Sequence, residues 1–398
     1  MKAKKLLAVL PSLVMCFALV ACGDDAAKKD DAAKTDTQQT EEKKDDAAEP
    51  AAAGGNKVGI AMPTKSLERW NRDGSFLEEQ FKSKGYEVKL TFSDNKIDQQ
   101  VKDIEGLLAD GVNLLVIAAI DGESLSQVLA QAKEQNVPVI SYDRLIMQND
   151  AISYYVSFDN YTVGKLQGEF VRDQLDLDNA AGPFNIEFTA GDPADNNAGF
   201  FFNGAYDTLK PYIEAGKLVV QSGQTAFDQV ATQQWDTAKA MTRMQNILGS
   251  NYSDQQLDVA LCSNDSTALG VTQAIASDYK GKNNVLVTGQ DGDEANLQNI
   301  VDGKQTMTVY KAVANEAKVT LDLGVAILSG KNPGEELIKD SGWDFDCTYD
   351  TSSYDNGTGI IPSFLLVPTV VTKDNIKSEL VDPGYYTLDD KGYAHPVG

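Results

Sequence analysis

The sequence predicts an α/β fold of two doubly wound lobes, each built on a parallel sheet. Three observations carry this expectation. From Lys57 onward, short apolar runs alternate with helical segments. The runs are apolar on nearly every residue, as strands buried on both faces require. The alternation then restarts near residue 154, which gives a second block of similar size. The roughly 340 residues after Lys57 suffice for two domains of ordinary size.

Taken in order, Val58 to Met62 reads as a strand, Leu67 to Lys84 as a helix stopped by Gly85, and Glu87 to Phe92 as a strand. A helix over 97–109 stops near Gly111, and 113–118 is a strand in which Leu114, Leu115, Val116 and Ile117 leave no polar face. A helix over 125–135 and a strand over 137–142 follow. In the second block, strands are expected at 154–158, 184–188, 218–221, 259–262 and 285–288. Helices near 162–175, 196–213, 236–248 and 266–278 separate them, and a further strand spans 306–310. Open α/β sheets hold ligands at the carboxyl ends of their strands, so a site is sought there.

The N-terminal residues point to export. Lys2, Lys4 and Lys5 precede an apolar run from Leu6 to Ala21, broken by Pro11 and Ser12. That suits a secretory signal over residues 1–21, since a spanning helix needs about 20 apolar residues. The following Leu19-Val20-Ala21-Cys22 resembles the lipobox of bacterial lipoproteins, which implies cleavage before Cys22 and a lipid on its thiol. Residues 23–56 hold nine alanines, ten acids and five lysines, with no aromatic or branched aliphatic side chain. Such a stretch cannot bury enough apolar surface to offset its ordering entropy, so 22–56 reads as a disordered acidic linker tethering the lobes to the membrane.

The scarce residues exclude chemistry. The only histidine is His395, near the C-terminus and away from the strand ends, so His-dependent triads, relays and metal sites are not expected. No G-x-G-x-x-G, P-loop or calcium-loop pattern follows a strand, and neither a cofactor nor a metal is expected. The formal charge of −24 argues against nucleic acid as a partner. Cys262 and Cys347 allow one disulfide in an exported chain, or two separate buried thiols.

The strand ends carry a recurring chemistry. Lys65, Arg69 and Trp70 follow the first strand, and Asp143 and Arg144 follow the strand ending at Tyr142. Asp195-Asn196-Asn197, Asn264-Asp265, Gln290-Asp291 and Lys311 occupy the corresponding places further on, with Trp235 as a second flat apolar surface. Charged and amide groups beside aromatic rings suit a neutral polyol ring. Planar Asp, Asn and Arg side chains each engage two hydroxyls, and aromatic faces cover C–H surfaces. Individually each residue has a plainer role open to it: Asn264 as a helix N-cap, Asp143-Arg144 as a surface pair, Trp70 as core.

These segments resemble the bacterial periplasmic pentose- and hexose-binding proteins, of xylose-binding and multiple-monosaccharide-binding type. The matching stretches are Leu67-Glu68-Arg69-Trp70, Tyr142-Asp143-Arg144, Val156-Ser157-Phe158-Asp159-Asn160 and Asp195-Asn196-Asn197-Ala198, then Ser263-Asn264-Asp265-Ser266-Thr267, Gly289-Gln290-Asp291 and Lys304 to Lys311. The resemblance implies a type I periplasmic binding protein: two lobes joined by a three-segment hinge, 57–158 with 291–330 and 159–290 with 331–398. It implies Arg69, Asp143, Arg144, Asn197, Asn264, Asp291 and Lys311 as the sugar hydrogen-bonding set and Trp70 and Trp235 as the stacking pair. Asn196 and Lys65 join them by position. It further implies a monomer that delivers xylose, glucose, galactose or arabinose to an ABC permease, and that informs a chemoreceptor. The acidic segment 339–358, which contains Cys347, departs from the family pattern.

Two other functions compete. A sensor feeding a chemoreceptor or kinase without transport would share the same site. A retaining glycosidase would need two carboxylates about 5–5.5 Å apart, with Asp143 and Asp291 as candidates. The resemblance favours a receptor that is not an enzyme.

Overall fold

The computed structural model describes residues 56–397. The signal sequence, Cys22 and nearly all of the acidic linker lie outside the described residues. In chain order the elements are β1 (Lys57–Met62), α1 (Glu68–Ser83), β2 (Glu87–Phe92), α2 (Ile97–Ala109), β3 (Leu114–Ile117), α3 (Ser126–Glu134), β4 (Val139–Tyr142) and β5 (Ile152–Phe158). The second block comprises α4 (Asn160–Gln174), β6 (Phe184–Thr189), α5 (Asn196–Glu214), β7 (Leu218–Val219), α6 (Phe227–Val230), α7 (Thr237–Asn251), β8 (Val259–Cys262), α8 (Asp265–Asp278) and β9 (Leu286–Val287). There follow α9 (Glu294–Val301), β10 (Met307–Tyr310), α10 (Val313–Leu328), α11 (Glu335–Ser341), β11 (Cys347–Asp350), β12 (Ser363–Leu366), β13 (Thr369–Thr372), β14 (Tyr386–Leu388) and β15 (Ala394–Pro396). Each expected strand and helix forms, with ends moved by a few residues.

Two sheets organise the chain. The first runs β11-β12-β5-β4-β3-β1-β2 and is parallel except for β11. The second runs β7-β6-β8-β9, all parallel. Every residue of β3 and β4 is buried, because helices cover both faces of the first sheet. Close helix packing in the second lobe depends on glycine: a β-carbon on Gly164 would fall 1.9 Å from the Phe201 carbonyl oxygen where α4 meets α5. No helix among the described residues is long and apolar enough to cross a membrane.

The lobe boundaries differ from the expectation. Val309 of β10 bridges to Gln290 and β10 pairs with β13, so 291–310 continues the second sheet instead of opening the first lobe's return. Conversely, β12 pairs in parallel with β5, and Phe364 and Leu366 enter the first core with residues of α10. Segment 331–366 therefore belongs with the first lobe, and 369–397 with the second. The polar Gly330-Lys331-Asn332-Pro333 turn imitates a linker but only joins α10 to α11. The chain still passes between lobes three times, at 158–160, 310–313 and 366–369.

The acidic 339–358 segment extends the first sheet by the antiparallel edge strand β11. Its Asn356 is buried and donates to the carbonyls of Ile146 (3.1 Å) and Asn149 (2.7 Å). Cys262 and Cys347 are both free, one in the second lobe's core and one on β11, so no disulfide ties 339–358 to β8.

Candidate functional site

The carboxyl ends of both sheets face each other across a cleft lined by Arg69, Trp70, Asp143, Arg144, Trp235, Asn264, Asp291 and Lys311. Eight of the eleven expected residues meet there. Arg69 and Trp70 open α1, Asp143 and Arg144 follow β4, Asn264 caps α8, and Lys311 lies on the chain crossing after β10.

Buried charge dominates the geometry. The Arg69 guanidinium contacts Asp73 (3.2 Å), Asp143 (2.6 Å), Asp291 (3.4 Å) and Glu316 (3.0 Å). Lys311, 1 % exposed, places Nζ 2.9 Å from Asp143 and 3.7 Å from Asp291. Burial alone would raise the Asp143 carboxyl, but Arg69 and then Lys311 outweigh it and hold that group well below the usual carboxylate range. Asp143 is thus an ionised acceptor. Glu316 goes the other way: burial first, then the Asp143 charge, push it well above its ordinary value in spite of Arg69.

On the opposite wall, Asp195 caps α5, accepting from the Asn197 N–H, and takes the Trp235 indole N–H at 3.2 Å. It also lies 3.0 Å from Arg144 Nε, although that N–H is misaligned for a hydrogen bond. Arg144 donates instead to the Ala119 carbonyl at 3.0 Å. The Arg69 and Arg144 guanidinium carbons sit 5.1 and 4.9 Å from the Trp70 ring centre, within cation–π range. Trp70 therefore packs in the first core and lines the cleft at once. Asn264 is likewise both: its Oδ1 caps α8 through Thr267 N, while Nδ2 faces Asp291 Oδ2 at 3.5 Å.

Three expected residues are not brought into the cleft. Lys65 is exposed, with Nζ 4.9 Å from the Phe92 ring centre, because the chain turns outward before α1 begins. Asn196, half-buried in the first turn of α5, is also absent from the lining. Asn197 is fully buried behind the lining, where Nδ2 donates to the Asp143 carbonyl at 2.6 Å. Conversely, Leu67, Phe201, Ser266 and Asp293 line the cleft without a strand-end signal, and Asp195 and Gln290, expected at strand ends but outside the implied sugar-binding set, line it too. Phe201 stands four residues after Asn197 on α5, a spacing that puts both on one helix face. Arg72 reaches across from α1 to the carbonyls of Gly292 (3.2 Å) and Asp291 (3.3 Å), to Asp293 (3.2 Å) and to the Tyr386 hydroxyl. Among the described residues no group of three or more His, Cys, Asp or Glu side chains is arranged to hold a metal ion.

A family model described as periplasmic binding protein domain matches residues 58–332. The chain is 42% identical over 341 residues, 85% of its length and 93% of the relative's, to the multiple sugar-binding periplasmic receptor ChvE of Rhizobium radiobacter. It is 33% identical to the D-xylose-binding periplasmic protein of Escherichia coli, over 83% of this chain and 91% of that one. An ABC transporter solute binding protein from Clostridium phytofermentans, solved with bound β-D-glucose, superposes with a TM-score of 0.78. It shares 50% identity across 84% of this chain and 99% of that structure. With its two parallel sheets facing across a charged cleft, the chain belongs to the periplasmic binding protein family, among the sugar-binding proteins of ABC transporters.

Proposed function

We propose that this protein is an exported lipoprotein, anchored through lipid on Cys22, that binds an aldose monosaccharide between its lobes and delivers it to an ABC importer. Xylose, glucose, galactose and arabinose are the candidate cargoes. The observation that carries the reading is the cleft itself. Acceptors from Asp143 and Asp291 and donors from Arg69, Arg144, Asn264 and Lys311 line one cleft together with Trp70 and Trp235. The relatives named above bind sugars of this class, and a site that pairs each hydroxyl rejects analogues that lack one. Asp143 is held ionised, which suits accepting hydroxyl hydrogens and does not suit donating a proton to a glycosidic oxygen. Binding without turnover is therefore the reading the cleft favours over glycosidase chemistry.

A calorimetric and thermal-shift screen of monosaccharides tests this. A ligand at 100 times its Kd stabilises by about 2.7 kcal/mol. The shift is expected for at least one aldose and is lost in Asp291→Ala and Arg144→Ala, while both variants stay folded by circular dichroism. Retained binding in both variants refutes the site, and turnover of a sugar or oligosaccharide refutes the function.

A further inference from the structure

The second lobe carries two cations that the sugar cleft does not use. Arg243, on α7, reaches the carboxyl end of β6 and donates to the Phe188 carbonyl (2.8 Å), the Thr189 hydroxyl (3.3 Å) and the Gln224 side-chain oxygen (2.5 Å). All three acceptors are neutral. Its Nε is buried and has no hydrogen-bond partner. Lys239, one turn earlier on α7, is exposed and reaches only the Gln233 carbonyl, at 3.4 Å. Neither side chain forms an ion pair among the described residues, in a chain with 59 acidic residues against 35 basic ones. The acid that acts on Arg243 through space is Glu187, and both its oxygens are taken, by Ser222 N–H (3.0 Å), Ser222 hydroxyl (2.6 Å) and Tyr252 hydroxyl (2.8 Å).

Both cations open on one cavity of about 610 Å³, whose other polar lining comes from Gln224, Thr242, Asn246, Ser250 and Asn251. No carboxylate lines it. A second cavity of about 360 Å³ shares Lys239 and Arg243 and continues to Thr232 and Gln233, in the turn that precedes Trp235. There Asp228 is the one acid, and it is exposed. A half-buried guanidinium with no carboxylate in direct contact carries a desolvation penalty that a bound anion offsets, and amide and hydroxyl donors around it fit oxygen atoms.

We propose that this groove on α7 is a binding site for a small oxyanion, a carboxylate or a phosphate, held by Arg243 and Lys239. The site stands apart from the sugar cleft and does not depend on the function proposed above. Titrating inorganic phosphate and succinate separately into the protein, at ionic strength fixed with chloride, tests it by calorimetry and thermal shift. A saturable response to at least one anion is expected, and the stronger response names the source. Lys239→Gln, at an exposed position, should weaken it about tenfold or more, and Arg243→Gln should remove it. Circular dichroism of both variants reports whether the lobe is intact, and Lys239→Gln keeps the test decisive if Arg243→Gln unfolds. No response beyond the chloride control, or an unchanged response in Lys239→Gln, overturns the site.

Discussion

Asp143 and Asp291 hold φ angles of +57° and +104°, conformations that side-chain sterics disfavour at about 1–3 kcal/mol each. Three donors grip the Asp143 carbonyl: the Tyr155 hydroxyl at 2.7 Å, Ser157 at 2.9 Å and Asn197 at 2.6 Å. Strain held in this way belongs to a prearranged acceptor. Trp235 is also at positive φ, and its indole lies where Gly191 lacks a side chain. A β-carbon there would fall 1.9 Å from the ring. Gly191→Ala should therefore push Trp235 out of place without touching the sugar. The expected loss is about 1–3 kcal/mol of binding, on the order of 5- to 150-fold in Kd by calorimetry. Unchanged affinity would show that the ring position is irrelevant. Spacing in the sequence revealed Arg69, Asp143, Arg144, Asn264, Asp291 and Lys311, because strand ends are legible from apolar runs. Lys65, Asn196 and Asn197 share the same strand-end positions, but side-chain direction, which position does not encode, takes them elsewhere. Asp195 was legible only as a strand-end acid, since its contact with the indole depends on Trp235 arriving from a distant turn.

At the level of elements, the apolar runs and helix stops placed the strands well because each signal is local. Membership of a lobe is not local. β10 and β12 are both short apolar runs, of which only the first was expected as a strand, and pairing alone distinguishes their lobes: Val309 beside Gln290 in one sheet, Leu365 beside Ser157 in the other. Phe364 makes this assignment testable. It is fully buried in the first core, with its ring 5.1 Å from Tyr349 and 6.2 Å from Tyr154 between centroids. Phe364→Ala should destabilise the protein by about 3–5 kcal/mol in urea unfolding. Amide exchange should rise along β5 and β11, the neighbours of β12, and not along β6 and β8. Loosening of the second sheet instead would return 331–366 to the second lobe.

Across the whole molecule, the buried acids set a direction for pH dependence. Burial, with Asp291 adding and Arg72 opposing, pushes the Asp293 carboxyl up to about 7. Burial and the neighbouring charges of Asp293 and Asp291 drive Asp265 well above its ordinary value, and Glu316 rises through burial and Asp143. His395 is also raised, by its hydrogen bond to Glu294. Each of these groups keeps a proton in the folded protein that the unfolded chain has released. Their stabilisation is complete below the unfolded value, 3.8 for Asp293, and is lost as pH rises through the folded value. Asp143, held low, and the exposed acids lowered by their partners act in the opposite sense, but only on the acid side of about pH 4. Between pH 5 and 8 the shifts thus point one way: the melting temperature should fall as pH rises. Asp293→Asn keeps an oxygen for Arg72 and cannot ionise, so it should flatten that decline by at most a few kcal/mol. Thermal unfolding of both proteins across this range checks it, and stability that climbs from pH 5 to 8 would mean that these acids are already ionised in the native state.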